Sequence, residues 1–200
     1  MQIHEYEYVT RAEYSPVQKD VEAIIRKAQR IMKEKYDFHF SYELIGSGKK
    51  HLITRKKNSN TGYDFDYNLI IDTLENGYRY VAKNVNELFR LAFNEACKDS
   101  RFKCPEDSTS VLTLKCVDRK NKRIKYSFDI AIIYYASDDL DDGYYYLKNW
   151  KNGGQMQEFI MHCRNMQKNT AFPALAVMWM TVIREQTLTA PDFKNCLRIL

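Results

Sequence analysis

The stretch YDFDYNLIID, residues 63–72, reads as a β-strand, and it carries two carboxylates two positions apart. The period-2 geometry of a strand points Asp64 and Asp66 to the same face of whatever sheet it joins. Adjacent carboxylates on one rigid face repel unless a cation sits between them. A third acid, Asp129, stands in YSFDIAIIYY, a second apolar strand pattern, flanked by Phe128, Ile130, Ile132 and Ile133. An ionised aspartate among such neighbours requires a partner or a metal. If the two strands are neighbours, the three acids converge. They would then be enough to hold two divalent ions about 4 Å apart. Oxygen donors with open positions suit Mg²⁺ or Mn²⁺, usually shared with substrate phosphates.

Upstream, residues 44–53 read LIGSGKKHLI, a glycine-serine turn followed by lysines. A Walker A loop would need glycine where Glu43 stands and a serine or threonine where Lys50 stands. Both positions fail, which excludes a P-loop.

Three features therefore occur in order. A strand runs into Ile45-Gly46-Ser47, a second carries Asp-x-Asp, and a later one carries an aspartate between apolar residues. In the wording SYELIGSGKKHLITR, GYDFDYNLII, EDSTSVLTLK and YSFDIAII, the chain resembles the polymerase-β nucleotidyltransferase superfamily. The likeness is nearest to its oligoadenylate synthetase and cyclic-dinucleotide synthase branch, and to small bacterial nucleotidyltransferase-domain proteins. It covers roughly residues 15–136.

The resemblance implies an α/β (α+β) fold, a nucleotidyltransferase palm with a mixed β-sheet flanked by helices. It implies that Gly46 and Ser47 grip the β- and γ-phosphates of an NTP and that Asp64 and Asp66 bridge two Mg²⁺ or Mn²⁺ ions. Asp129 would hold the catalytic metal and help deprotonate an attacking hydroxyl. Lys49, Lys50 or Arg55 would neutralise charge on the departing pyrophosphate. The acceptor stays open between a nucleotide, an RNA end, a protein hydroxyl and a small molecule. This chain departs from the family in the long, basic segment between Ser47 and Asp64, and in Lys49-Lys50-His51 where small residues are usual.

Around these motifs the element order is mixed α/β. Ser15-Pro16 reads as the start of a helix to about Tyr36, with Val17, Val21, Ile24, Ala28, Ile31 and Met32 at helical spacing. Phe38, Phe40, Tyr42 and Leu44 alternate as a strand. Asn84-Val85 opens a second helix, and STSVLTLKCV and RIKYSFDIAIIYY read as strands joined by DRKNK. Residues 1–136 are expected to form the catalytic core. Residues 137–200 are expected to form a loop or hairpin and a helical extension packing on it, with helices over about 156–168 and 173–186.

With 200 residues, 44% of them hydrophobic, the chain can bury a sizeable core. A net charge of +5 is compatible with nucleotides or RNA but does not require them. Five cysteines at irregular spacing, with no C-x-x-C pair, point to reduced thiols. No apolar leader opens the chain, and its longest apolar run is too short for a bilayer, so a cytoplasmic protein without membrane contact is expected. The basic groups Arg55-Lys56-Lys57 and Arg119 to Lys125 read as solvated loops that would track a nucleic-acid backbone only if they shared a face. Tyr144, Tyr145, Tyr146 and Trp150 read as packing residues rather than base-stacking ones.

Two other functions compete with nucleotidyl transfer. A non-catalytic nucleotide- or RNA-binding module would have no reason to keep three like charges together. A glycosyltransferase also uses Asp-x-Asp, but it leaves the Gly-Ser turn and Asp129 unexplained.

Overall fold

The computed structural model describes residues 5–72, 79–103, 105–107, 110–136, 143–150, 156–162 and 198–199. Its elements run in the order β1 (Tyr6–Tyr8), α1 (Arg11–Tyr36), β2 (Phe40–Ile45), α2 (Gly46–Lys49), β3 (Thr54–Lys56), β4 (Tyr63–Ile71) and β5 (Arg79–Tyr80). Then follow α3 (Ala82–Cys97), β6 (Glu106–Asp107), β7 (Leu112–Asp118), β8 (Arg123–Tyr135), β9 (Tyr144–Trp150), β10 (Met156–His162) and β11 (Arg198–Ile199). The expected mixed sheet flanked by helices is what forms.

β8 organises the sheet. Within its 13 residues, Tyr126 to Ile133 pair parallel with β4 along one edge. The other edge is shared by β7 and then β9, both antiparallel. β2 closes the far side of β4, β10 the far side of β9, and β6 lies against β7. Parallel pairing of β4 with β8 demands a crossover between them, and α3 lies within it.

One sheet face is the core. Phe65, Tyr67, Leu69 and Ile71 of β4 and Phe128, Ile130 and Ile132 of β8 are buried there. They pack under Val21, Ile25, Ala28 and Met32 of α1 and Leu88, Phe89, Ala92 and Phe93 of α3. Each buried Val, Leu, Ile, Phe or Met side chain among them contributes about 1.5–3 kcal/mol of burial. The apolar residues at i, i+3, i+4 and i+7 of the two helices supply the matching stripes. α1 ends at Asp37, whose left-handed backbone (φ 52°) lets its own N–H donate to the Lys33 carbonyl and the Phe38 N–H to that of Met32.

Two sequence expectations need correction. α1 does not begin at Ser15-Pro16 but a turn earlier, with Thr10 as its N-cap and Pro16 inside the helix. Tyr14, 3% exposed, extends the buried stripe of Val17 and Val21 backwards, so core packing outweighs the backbone hydrogen bond that proline forgoes. The segment expected to be helical from Met156 is instead strand β10, paired antiparallel with β9 from Met156↔Trp150 to His162↔Tyr144. Its apolar residues Met156, Phe159 and Ile160 fit helical spacing, but the open edge of β9 offers a complete backbone ladder. The helix expected over 173–186 lies outside the described residues. Tyr145 stacks on Tyr134 of β8, rings 4.9 Å apart and 12° from parallel, as a packing residue would.

Candidate active site

The solvent face of the same sheet carries the acids. In β4 the burial alternates strictly, with Tyr63, Phe65 and Tyr67 inward and Asp64, Asp66 and Asn68 outward. The parallel register sets Asp66 directly opposite Asp129 and Asp64 opposite Ser127. The three carboxylates converge, one ligand oxygen from each lying within 4.8 Å of the others.

Their electrostatics fit a cation site. Loss of solvent, and then the charge of Asp129, push the Asp64 carboxyl above its ordinary value, partly opposed by a backbone hydrogen bond. Loss of solvent raises Asp66 as well, with repulsion from Asp64 and Asp129 behind it. All three would be relieved by a divalent ion between them.

The Gly-Ser turn meets this cluster. β2 runs antiparallel to β4, so that Ile45 faces Asp66 and the chain leaves the sheet at the level of the acids. It turns there into α2, starting with Gly46 at φ 61°. A β-carbon on Gly46 would stand 2.7 Å from Oδ2 of Asp66, so only glycine lets the turn approach the carboxylate this closely. No side chain caps the start of α2. Ser47 follows Gly46 in this turn, and its carbonyl accepts from the Leu52 N–H at 3.0 Å.

The lysines and the arginine part company. Lys49 and Lys50 are exposed at the end of α2, with Lys49 Nζ 3.9 Å from a Glu43 carboxylate oxygen. Glu43 also accepts from Asn68 Nδ2 at 3.2 Å, one outward position along β4 from Asp66. Arg55 is engaged elsewhere. Its guanidinium is held by Glu7 of β1 and Glu13 of α1. It lines a separate cleft of about 530 Å³ with Lys56, Lys57, Arg123 and Lys125, whose walls include none of the three aspartates. The two basic patches therefore do share a cleft. Carboxylates answer much of its charge, because Lys57 is paired with Glu5 and Arg123 lies 3.8 Å from Asp118.

One member of the site was not foreseen from sequence. Thr113 of β7 stands opposite Asp129, and its hydroxyl donates to Oδ1 of that aspartate at 2.6 Å. The alternation LTLKCV places Thr113 outward, but only the β7–β8 register says which residue it faces.

No protein-family model matches the chain, and no curated protein matches it. Its fold does match solved structures. One is the CD-NTase CdnG of Bradyrhizobium diazoefficiens in complex with GTP, at a TM-score of 0.52 and 11% identity over 78% of this chain and 40% of that one. Another is the cyclic AMP-GMP synthase DncV of Vibrio cholerae, a prokaryotic cGAS homolog, at a TM-score of 0.52 and 9% identity over 76% of this chain and 53% of that one. The chain thus has the nucleotidyltransferase fold of these two proteins and spans about half their length or less. No helix among the described residues is long and apolar enough to cross a membrane.

Proposed function

We propose that the chain is a nucleotidyltransferase that moves a nucleoside monophosphate from an NTP to a hydroxyl acceptor and releases pyrophosphate. The observation that carries this reading is the convergence of Asp64, Asp66 and Asp129 beside a glycine turn that admits no side chain. The fold shared with nucleotide-using synthases supports it. Residues 1–136 carry the catalytic core in this reading. Residues 137–200 are an extension upon it, of which β9 and β10 continue the sheet.

The donor set fits divalent cations: three hard oxygen ligands, mutually repelling and partly desolvated. Asp64 and Asp66 would bridge two Mg²⁺ or Mn²⁺ ions, and Asp129 would complete the site. Bound there, the ions supply charge neutralisation at the reacting phosphates. The amides of Gly46 and Ser47 and the Ser47 hydroxyl bind the β- and γ-phosphates. Lys49 and Lys50, exposed just beyond, neutralise the pyrophosphate as it forms. Arg55, held by two glutamates, fastens β3 to β1 and α1 instead. Asp129 takes the proton of the acceptor hydroxyl while its oxygen bonds to the α-phosphorus and the bond to pyrophosphate breaks.

Incubation with Mg²⁺ or Mn²⁺ and each α-³²P NTP, with and without bulk RNA, tests the reading, with an Asp64→Ala/Asp66→Ala protein beside it. A labelled product missing from the double variant is expected, and its size gives the acceptor class. A product made equally by the variant would refute the assignment. Metal-independent NTP binding without turnover would favour the non-catalytic module.

A further inference from the structure

The register that puts Asp129 beside Asp66 on one edge of β8 puts it beside Thr113 on the other. The 2.6 Å bond from the Thr113 hydroxyl to Oδ1 has the length of a charge-assisted O–H···O contact. An aspartate side chain rotates broadly about its last torsion, so a carboxylate on an open sheet face has no fixed orientation of its own. Sheet packing does not explain the hydroxyl, because valine has the same branched shape and suits a strand as well.

We propose that Thr113 is a positioning residue for Asp129. By holding Oδ1 it turns the other oxygen toward Asp64 and Asp66 and pre-sets that oxygen as a cation ligand. The inference rests on the reading of the three aspartates as a metal site, and it adds β7 to the elements that build that site. Outer-shell partners of this kind typically change metal affinity by about 10–100-fold when removed.

The test is Mn²⁺ binding by the full chain, followed by the electron paramagnetic resonance of free Mn²⁺, in wild type, Thr113→Val, Thr113→Ser and Asp129→Asn. Melting temperatures in EDTA are recorded beside it. We expect Thr113→Val to melt with the wild type yet bind Mn²⁺ about 10–100-fold more weakly. Thr113→Ser, which keeps the hydroxyl, should bind nearly as tightly as wild type. Wild-type affinity in Thr113→Val, with Asp129→Asn impaired, would overturn the role of Thr113 and leave the metal site standing. Equal losses in the valine and serine variants would assign the effect to packing and overturn it too. No Mn²⁺ binding by wild type, or full binding by Asp129→Asn, would remove the metal reading and the role of Thr113 together.

Discussion

Gly46 and Asp66 occupy adjoining space that has room for a hydrogen but not for a methyl group. A β-carbon on the glycine would lie 2.7 Å from Oδ2 of the aspartate, on a backbone at φ 61°. Gly46→Ala therefore carries two penalties. The left-handed backbone costs an L-residue about 1–2 kcal/mol, and the new methyl displaces a carboxylate from the cluster. We expect a stability loss of about that size in urea titrations, accompanied by a fall in Mn²⁺ affinity larger than the destabilisation accounts for.

Asp64 and Asp66 make the metal-free protein less stable than it would be without them. Both carboxyls titrate above their ordinary value of about 3.9 in the folded chain, chiefly through lost solvent and then through their neighbours' charge. The folded state thus holds its protons longer than the unfolded state does. Their contribution is most favourable below the unfolded value and worsens as pH rises to the folded one, above which the penalty is complete. Asp66→Asn should accordingly raise the melting temperature in EDTA at pH 7 and leave it nearly unchanged near pH 3. Added Mn²⁺ should raise the melting temperature of the wild type and not that of the variant. Calorimetry at the two pH values decides it.

Phe65 lies between the two aspartates in sequence but on the opposite face, fully buried and edge-on to Tyr14 and Tyr63. Phe65→Ala should cost about 3–5 kcal/mol in a denaturant titration. Asp64→Ala, one residue away, should cost the fold nothing comparable while removing most turnover. Similar stability losses for the two would contradict the assignment of faces.

Ser47→Ala tests the turn. A hydrogen bond to a charged group is worth about 1.5–3 kcal/mol, which is about 10–100-fold in affinity. NTP binding measured by equilibrium dialysis should weaken by that factor, with Mn²⁺ binding in the absence of nucleotide unaffected.

Arg55→Ala should leave nucleotide binding intact. Its side chain is about one-third exposed and paired with Glu7 and Glu13, so its removal should cost less than about 1 kcal/mol. A tenfold loss of NTP affinity would restore it to the phosphate site.

Much of this site was readable before any coordinates. Strand alternation alone sets Asp64 and Asp66 on one face, and the apolar neighbours of Asp129 announce a carboxylate in need of company. What periodicity cannot supply is pairing. Thr113 joins the candidate site only through its register with Asp129, and the pairing of Arg55 with two glutamates from elsewhere in the chain is equally invisible to periodicity. The same limit explains β10. MQEFIMH satisfies both helical and strand spacing, and the free edge of β9 made the choice. At Pro16 a local rule was outweighed by the burial of Tyr14. The long, evenly patterned elements came through well; those decided by a distant partner did not.

The parallel pairing of β4 with β8 also sets when the site can exist. Two of its acids lie on β4, but the third belongs to β8, which pairs beside β4 in the same direction and so follows a crossover that includes α3 and β7. A chain emerging from the ribosome would expose Asp64 and Asp66 for the entire synthesis of α3 and β7 with nothing to complete them. The three-carboxylate cluster is complete only when β8 has paired with β4, so a fragment that ends before Asp129 lacks it.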